Sequence, residues 1–250
     1  MPSQAAVTEA RLFPVVETRY GKIRGVNHHG IKVFKGIRYG ASTAGKNRFM
    51  PPQPPEPWAG IYDAFNYGQI SPQVPADRRA EYTNLIMWDY QPSGIGEDCL
   101  RLNLWTPSVN DNAKLAVYFV IHGGGFVDGS GNSMGFDGYE AARRDDMVVV
   151  SVTHRLGALG YLNLVDLGAP KEFKYAGVTG SMDLVAALKW VRDNIAEFGG
   201  DPDRVMIFGQ SGGGGKTSTL LATPAAKGLF SSGGCTKRFV PAVEKTRAGH

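Results

Sequence analysis

Cysteine is almost absent from this chain: Cys99 and Cys235 are the only two in 250 residues. Two cysteines so far apart build neither a disulfide framework nor a zinc site of the usual spacing. Long hydrophobic runs are missing as well. The longest, Leu115–Ile121, falls far short of the roughly 20 apolar residues that cross a bilayer. The N-terminal stretch MPSQAAVTEARLF has no basic segment followed by an apolar one, so no secretory signal is read there. These absences make a reduced, cytoplasmic protein the expectation, with no membrane partner. No internal repeat of solenoid length is found. A broad basic face is lacking too. The net charge is +4, but Lys237, Arg238, Lys245 and Arg247 crowd into the last 20 residues. The basicity is thus a property of one terminus, and nucleic acid is not expected as a partner.

Glycine, by contrast, is plentiful, with 33 residues, about twice the usual share. No collagen-like period accompanies it, so the excess marks tight turns and close backbone approaches. Residues 18–26 and 31–39 read as a hairpin or edge strands around the turn 27–30. The segment 50–58 holds five prolines, which exclude helix and give an extended surface strap. Residues 66–96 read as a long surface excursion.

After residue 97 the pattern changes. LRLNLW (100–105) alternates, whereas LAVYFVI (115–121), MVVVSV (147–152) and VMIF (205–208) are continuous apolar runs. Such runs suit strands covered on both faces. Between the last two, Leu184, Leu188, Val191, Ile195 and Phe198 fall on one stripe of a helix over 181–198, with Ser181 as its N-cap. Strand, helix, strand at this spacing is a βαβ unit, and the fold class is α/β with a mostly parallel sheet.

Two motifs carry chemistry. Gly209-Gln210-Ser211-Gly212-Gly213 is a G-x-S-x-G sequence, placed after a strand and before a helix expected over 212–222. A serine on so sharp a turn projects its hydroxyl at a helix N-terminus, where developing negative charge is favoured. His122-Gly123-Gly124-Gly125-Phe126 follows the strand at 115–121. Consecutive glycines let main-chain N–H groups point into a cavity, which suits them to hold an oxyanion. Gly215-Lys216-Thr217 looks like the end of a phosphate-binding loop, but its first glycine would have to stand at Gln210. The near miss counts against a nucleotide site.

With these residues in place, the sequence resembles the N-terminal part of the type-B carboxylesterases, the family of bacterial para-nitrobenzyl esterases and cholinesterases. FGGDPDRVMIFGQSGG (198–213) resembles the family's serine signature, and EDCLRLNLW (97–105) its second signature. FKGIRYG (34–40), RFMPPQPPEPW (48–58) and THRLGALGYL (153–162) are also family-like. The resemblance implies the N-terminal portion of an α/β-hydrolase fold with an N-terminal β-hairpin, lacking the C-terminal strands and helices. It implies ester hydrolysis of a small-molecule substrate without cofactor or metal. Ser211 would be the nucleophile, and Gly124, Gly125 and Gly212 the oxyanion donors. Arg48 with Glu97, and Arg155 with Asp183, match positions of structural ion pairs. Where the family often carries a cysteine partner for Cys99, this chain has Ser71-Pro72-Gln73. Gln210 stands where many members carry Glu.

The resemblance stops at Phe230. Residues 1–230 therefore read as a partial hydrolase domain, and 231–250 as an anomalous, disordered tail. In this fold the acid and the histidine follow the serine in the chain. Neither is identified here: Glu244 and His250 lie in the tail, and His122 and His154 match structural positions. Two readings stay open. One is an esterase acting through Ser211; the other is a truncated, catalytically silent fragment. A sheet ending at its serine strand would also leave an open edge suited to self-association.

Overall fold

The computed structural model describes residues 12–74 and 91–236. Its strands, in chain order, are β1 (Val15–Thr18), β2 (Gly21–Arg24), β3 (Val26–His28), β4 (Ile31–Arg38), β5 (Ile61–Asp63), β6 (Arg101–Thr106), β7 (Leu115–Ile121), β8 (Val148–Thr153), β9 (Gly200–Gln210) and β10 (Ser232–Thr236). The α-helices are α1 (Tyr139–Asp145), α2 (Gly157–Tyr161), α3 (Thr179–Asn194) and α4 (Gly212–Leu221).

One sheet dominates, with strand order β10-β9-β7-β8-β6-β4-β3; β1, β2 and β5 form a second, small one. The large sheet is mixed. β10, β9, β7 and β8 run parallel to one another, whereas β8–β6, β6–β4 and β4–β3 are antiparallel. The N-terminal half is joined by hairpins and edges, and the parallel half by helical crossovers. The continuous runs at β7 and β8 lie mid-sheet, where both faces need apolar cover. β6 alternates in sequence, yet all six of its residues are buried. Its polar members are satisfied instead of exposed: Asn103 bonds Gly131, Asn132 and Ser151, and accepts from the Gly36 N–H.

Helix α3 packs the expected stripe on the sheet. Leu184, Leu188, Val191, Ile195 and Phe198 are all fully buried in the main core cluster, each burial contributing about 1.5–3 kcal/mol before entropy is counted. Two boundaries differ from expectation. The helix starts at Thr179 after Val178, not at a Ser181 cap, and its last turn, Ile195–Phe198, tightens to 3-10 geometry. The stretch 18–26 is not one strand: the chain turns at Arg19–Tyr20, so β1 and β2 pair as a hairpin ahead of the β3–β4 hairpin.

The segment set aside as a tail contributes a strand. β10 pairs in parallel with β9 from Ser232↔Met206 to Thr236↔Gln210. Among the described residues the sheet edge therefore lies one strand beyond the serine strand. Residues 237–250, with Glu244 and His250, lie outside the described residues, as does most of the excursion, residues 75–90.

Candidate active site

Strand β9 ends at Gln210 and α4 begins at Gly212, so the chain reverses at Ser211 alone. Ser211 has φ 56 and ψ −120, a conformation that costs an L-residue about 1–3 kcal/mol. Close packing holds it there. A Cβ on Gly209 would sit 2.1 Å from the main-chain carbonyl of Gly213, so only glycine lets strand and helix approach so tightly. Gly212 meets the other motif: a Cβ there would lie 2.5 Å from the main-chain nitrogen of Gly125. The glycine-rich loop leaving β7 and the residue after the serine are thus in backbone contact. Ser211, Gly212 and Gly125 share one end of the parallel strands, with Gly124 beside them in the chain.

The loop is fixed by its own turn. The N–H groups of Val127 and Asp128 both donate to the Gly124 carbonyl, and the Gly157 N–H donates to the Phe126 carbonyl. Behind it, the Gln73 side chain accepts from the Gly129 N–H at 2.7 Å and donates to its carbonyl at 3.1 Å. Ser71 is fully buried and accepts from the Leu156 N–H at 3.1 Å. Nearby Cys99 is a buried free thiol that burial pushes up to about 12.

The two histidines near the loop are buried and stacked, with ring centroids 5.0 Å apart. Nδ1 of His122 lies 3.0 Å from the Gly123 carbonyl, and Nδ1 of His154 lies 2.9 Å from the Arg155 carbonyl. A carbonyl only accepts, so both rings carry their proton on Nδ1. Each Nε2 is buried without a partner among the described residues. Burial first, then the Lys216 charge, holds both rings well below the ordinary histidine range. No hydrogen bond joins either ring to Ser211 among the described residues. His28 lies in β3 against Tyr139, and His29 in the adjoining turn. The described residues therefore hold no serine–histidine–acid relay.

Both expected ion pairs form. Arg155 grips Asp183 through Nε at 2.8 Å and a terminal nitrogen at 2.6 Å, with both side chains buried. Arg48 donates to Glu97 at 2.7 Å in a more exposed setting.

The rejected phosphate-loop pattern leaves Lys216 without a reading. In the structure it is 1% exposed and points inward. Its Nζ lies 3.2 Å from the His122 carbonyl and 3.4 Å from the Gly123 carbonyl. Helical spacing holds the signal for this: Gly213, Lys216, Thr217 and Leu220 form the buried face of α4. A separate groove of about 540 Å³ is lined by Tyr39, Pro54, Met182, Val185, Trp190 and Thr223 among others. None of Ser211, Gly124, Gly125 or Gly212 lines it.

A model of the carboxylesterase family matches residues 13–233. The chain is 42% identical over 216 residues to the para-nitrobenzyl esterase of Bacillus subtilis, covering 86% of this chain and 42% of that protein. It is 41% identical over 227 residues to a medium-chain fatty acyl-CoA hydrolase of Anas platyrhynchos, covering 87% and 39%. Among solved structures, an esterase from Clostridium hathewayi that can hydrolyse aliphatic aromatic polyesters superposes with TM-score 0.81 at 47% identity, over 89% of this chain and 43% of that one. A Geobacillus stearothermophilus carboxylesterase superposes with TM-score 0.80 at 41% identity, over 88% and 42%. The chain spans less than half the length of each of these relatives.

Proposed function

Because the chain belongs to the carboxylesterase family, with the α/β-hydrolase fold of its structural neighbours, we propose that it carries the nucleophile and oxyanion half of a serine esterase site. Ser211 Oγ would attack the carbonyl carbon of a small-molecule carboxylic ester. The carbonyl oxygen would take the charge and lie against the N–H groups of Gly124, Gly125 and Gly212. Collapse would release the alcohol and leave an acyl-serine, which water then hydrolyses. The observation that supports this reading is the contact of Gly212 with Gly125 beside the strained Ser211. It brings two separate glycine motifs together at Ser211.

Proton transfer is the weak step. His122 and His154 are held neutral, each with its Nδ1 on a main-chain carbonyl. The second reading, a catalytically silent hydrolase, is favoured by the lack of any relay among the described residues. A cytoplasmic location belongs to the same proposal, supported by the free, buried Cys99. So does self-association through the outer edge of β10. No helix among the described residues is long and apolar enough to cross a membrane.

Two measurements separate the parts of this reading. An arylboronic acid forms a tetrahedral adduct on a serine and places an oxygen in the oxyanion site. The adduct is expected on the 250-residue chain and is expected to vanish in Ser211→Ala; no serine-dependent adduct overturns the half-site. Turnover of p-nitrophenyl esters is expected near background and unchanged by Ser211→Ala, because the hydroxyl stays protonated without a base. Robust turnover lost in Ser211→Ala would instead establish a base, to be sought at His122, His154 or a partner chain.

A further inference from the structure

Lys216 lies under the glycine-rich loop with no role in the chemistry above. Its Nζ donates to the carbonyls of His122 and Gly123, and it stands 5.3 Å from the centre of the Phe126 ring. The Gly123 carbonyl also accepts from His122 Nδ1. That carbonyl and the Gly124 N–H are the two ends of one peptide group. Two donors on the oxygen draw electron density from the nitrogen, and an N–H so polarised is a stronger donor. The same contacts fix the plane of that peptide, and with it the direction in which the Gly124 N–H points.

We propose that Lys216 is a positioning residue of the esterase site: by binding the His122 and Gly123 carbonyls it orients the 123–124 peptide and strengthens the Gly124 N–H as an oxyanion donor. The inference rests on the reading of Gly124 as an oxyanion donor, but its own test does not.

The surroundings make this tie sensitive to protonation. Lys216 faces His122 at the end of β7, His154 after β8 and Asp128 in the loop beyond Phe126. From the elements packed on α4, β10 presents Cys235, which bonds the Gly214 carbonyl. The charged residues of β9 (Asp201, Asp203 and Arg204) lie at the far end of that strand. Those of α3 include Asp183, held by Arg155, with Lys189, Arg192 and Asp193 toward its other end. Burial brings the Lys216 amine down to about 7, against the pull of Asp128. Ammonium and amine are therefore both populated near neutrality. Both can donate to the carbonyls, and the ammonium polarises them more.

The test is the amide signal of Gly124 in ¹⁵N-glycine-labelled protein, followed through the neutral pH range. In the wild type it is expected to move with one midpoint near 7, downfield as the pH falls. The Gly212 amide is expected to move less, because its peptide carbonyl is bound by the Gly215 N–H. In Lys216→Met the Gly124 titration is expected to disappear. A general loosening of the loop would shift both amides and would not titrate. A flat Gly124 signal in the wild type overturns the proposal without any variant having to fold. The same titration persisting in Lys216→Met also overturns it. As a second readout, boronate affinity in Lys216→Met is expected to fall about tenfold, the value of a hydrogen bond to a charged group. Absence of any boronate adduct in the wild type would count against the half-site reading and leave the amide titration to decide the role of Lys216.

Discussion

Two cations among the described residues, Arg155 and Lys216, are each 1% exposed, and they are compensated in opposite ways. Arg155 meets the Asp183 carboxylate bidentately and gives a further bond to the Met50 carbonyl. Burial alone would lower its pKa, but the bonds and charge of Asp183 hold it above its ordinary value. Lys216 bonds main-chain carbonyls and stands over the Phe126 ring, with no carboxylate at ion-pair distance among the described residues, and burial brings it down to about 7. A charge matched by a carboxylate is a fixed structural pin. A charge matched by peptide dipoles is only partly repaid for its lost hydration, so it titrates near neutrality. The first ties the strap at Met50 to the core; the second sits against the loop beside Ser211.

The largest expected effect is at the compensated site. Asp183→Asn keeps the shape and removes the countercharge, leaving Arg155 buried and alone. Breaking a buried pair in this way costs about 3–5 kcal/mol, which lowers the melting midpoint of a domain this size by roughly 6–20 °C. A loss too small to resolve in a thermal melt would mean that Asp183 is not what compensates Arg155.

Lys216→Met is expected to act in the other direction. It replaces a buried charge by an apolar side chain of similar length and should stabilise the fold by about 1–4 kcal/mol near neutral pH. The pH dependence follows from the lowered pKa. Below about 7 the lysine is charged in both folded and unfolded chains, and the folded state bears the full burial cost. As the pH rises from there toward 10.5, the unfolded chain binds the extra proton and that cost shrinks. The advantage of the variant over wild type should therefore narrow with rising pH in urea unfolding. A gap that widens instead would break the comparison with Arg155.

The sequence shows one of these two sites far more clearly than the other. Arg155 sits in a family-like motif and pairs with Asp183 as expected. Lys216 was hidden because GKT invites a phosphate-loop reading, although helical spacing from Gly213 already places it inward. The same contrast runs through the fold. β7 has the bounds its apolar run predicts, and α3 buries the whole of its expected stripe. β9 starts five residues earlier than its apolar run, at Gly200, because Leu115 pairs with that glycine; Gly-Asp-Pro-Asp has little strand propensity of its own. β10 is Ser-Gly-Gly-Cys-Thr, with no alternation to read, and is held by main-chain pairing to β9. Tertiary pairing set both, and local sequence does not record it. At the site, glycine spacing identified where strand and helix must touch. The orientation of the histidines onto carbonyls depends on packing that no motif encodes.

The smallest expected effect belongs to a third pair, which supplies the exposed limit of the comparison. Arg48 and Glu97 make the same kind of bidentate contact as Arg155 and Asp183, but the Arg48 side chain is 48% exposed. Removing the guanidinium leaves the Glu97 carboxylate, whose side chain is 19% exposed and open to water, so no sealed charge is stranded. Arg48→Ala should lower the melting midpoint by no more than about 4 °C. Glu97 is held below its ordinary value by its hydrogen bond to Arg48. A depressed carboxylate contributes its stability above the unfolded pKa and loses it as the pH falls through the folded one. Wild type and Arg48→Ala should therefore differ near neutrality and converge as the pH drops below 4.5. If Arg48→Ala cost as much as Asp183→Asn, burial of the charge would not be what separates the pairs. The strap geometry at Met50, which Arg155 binds only two residues from Arg48, would then be the shared cause.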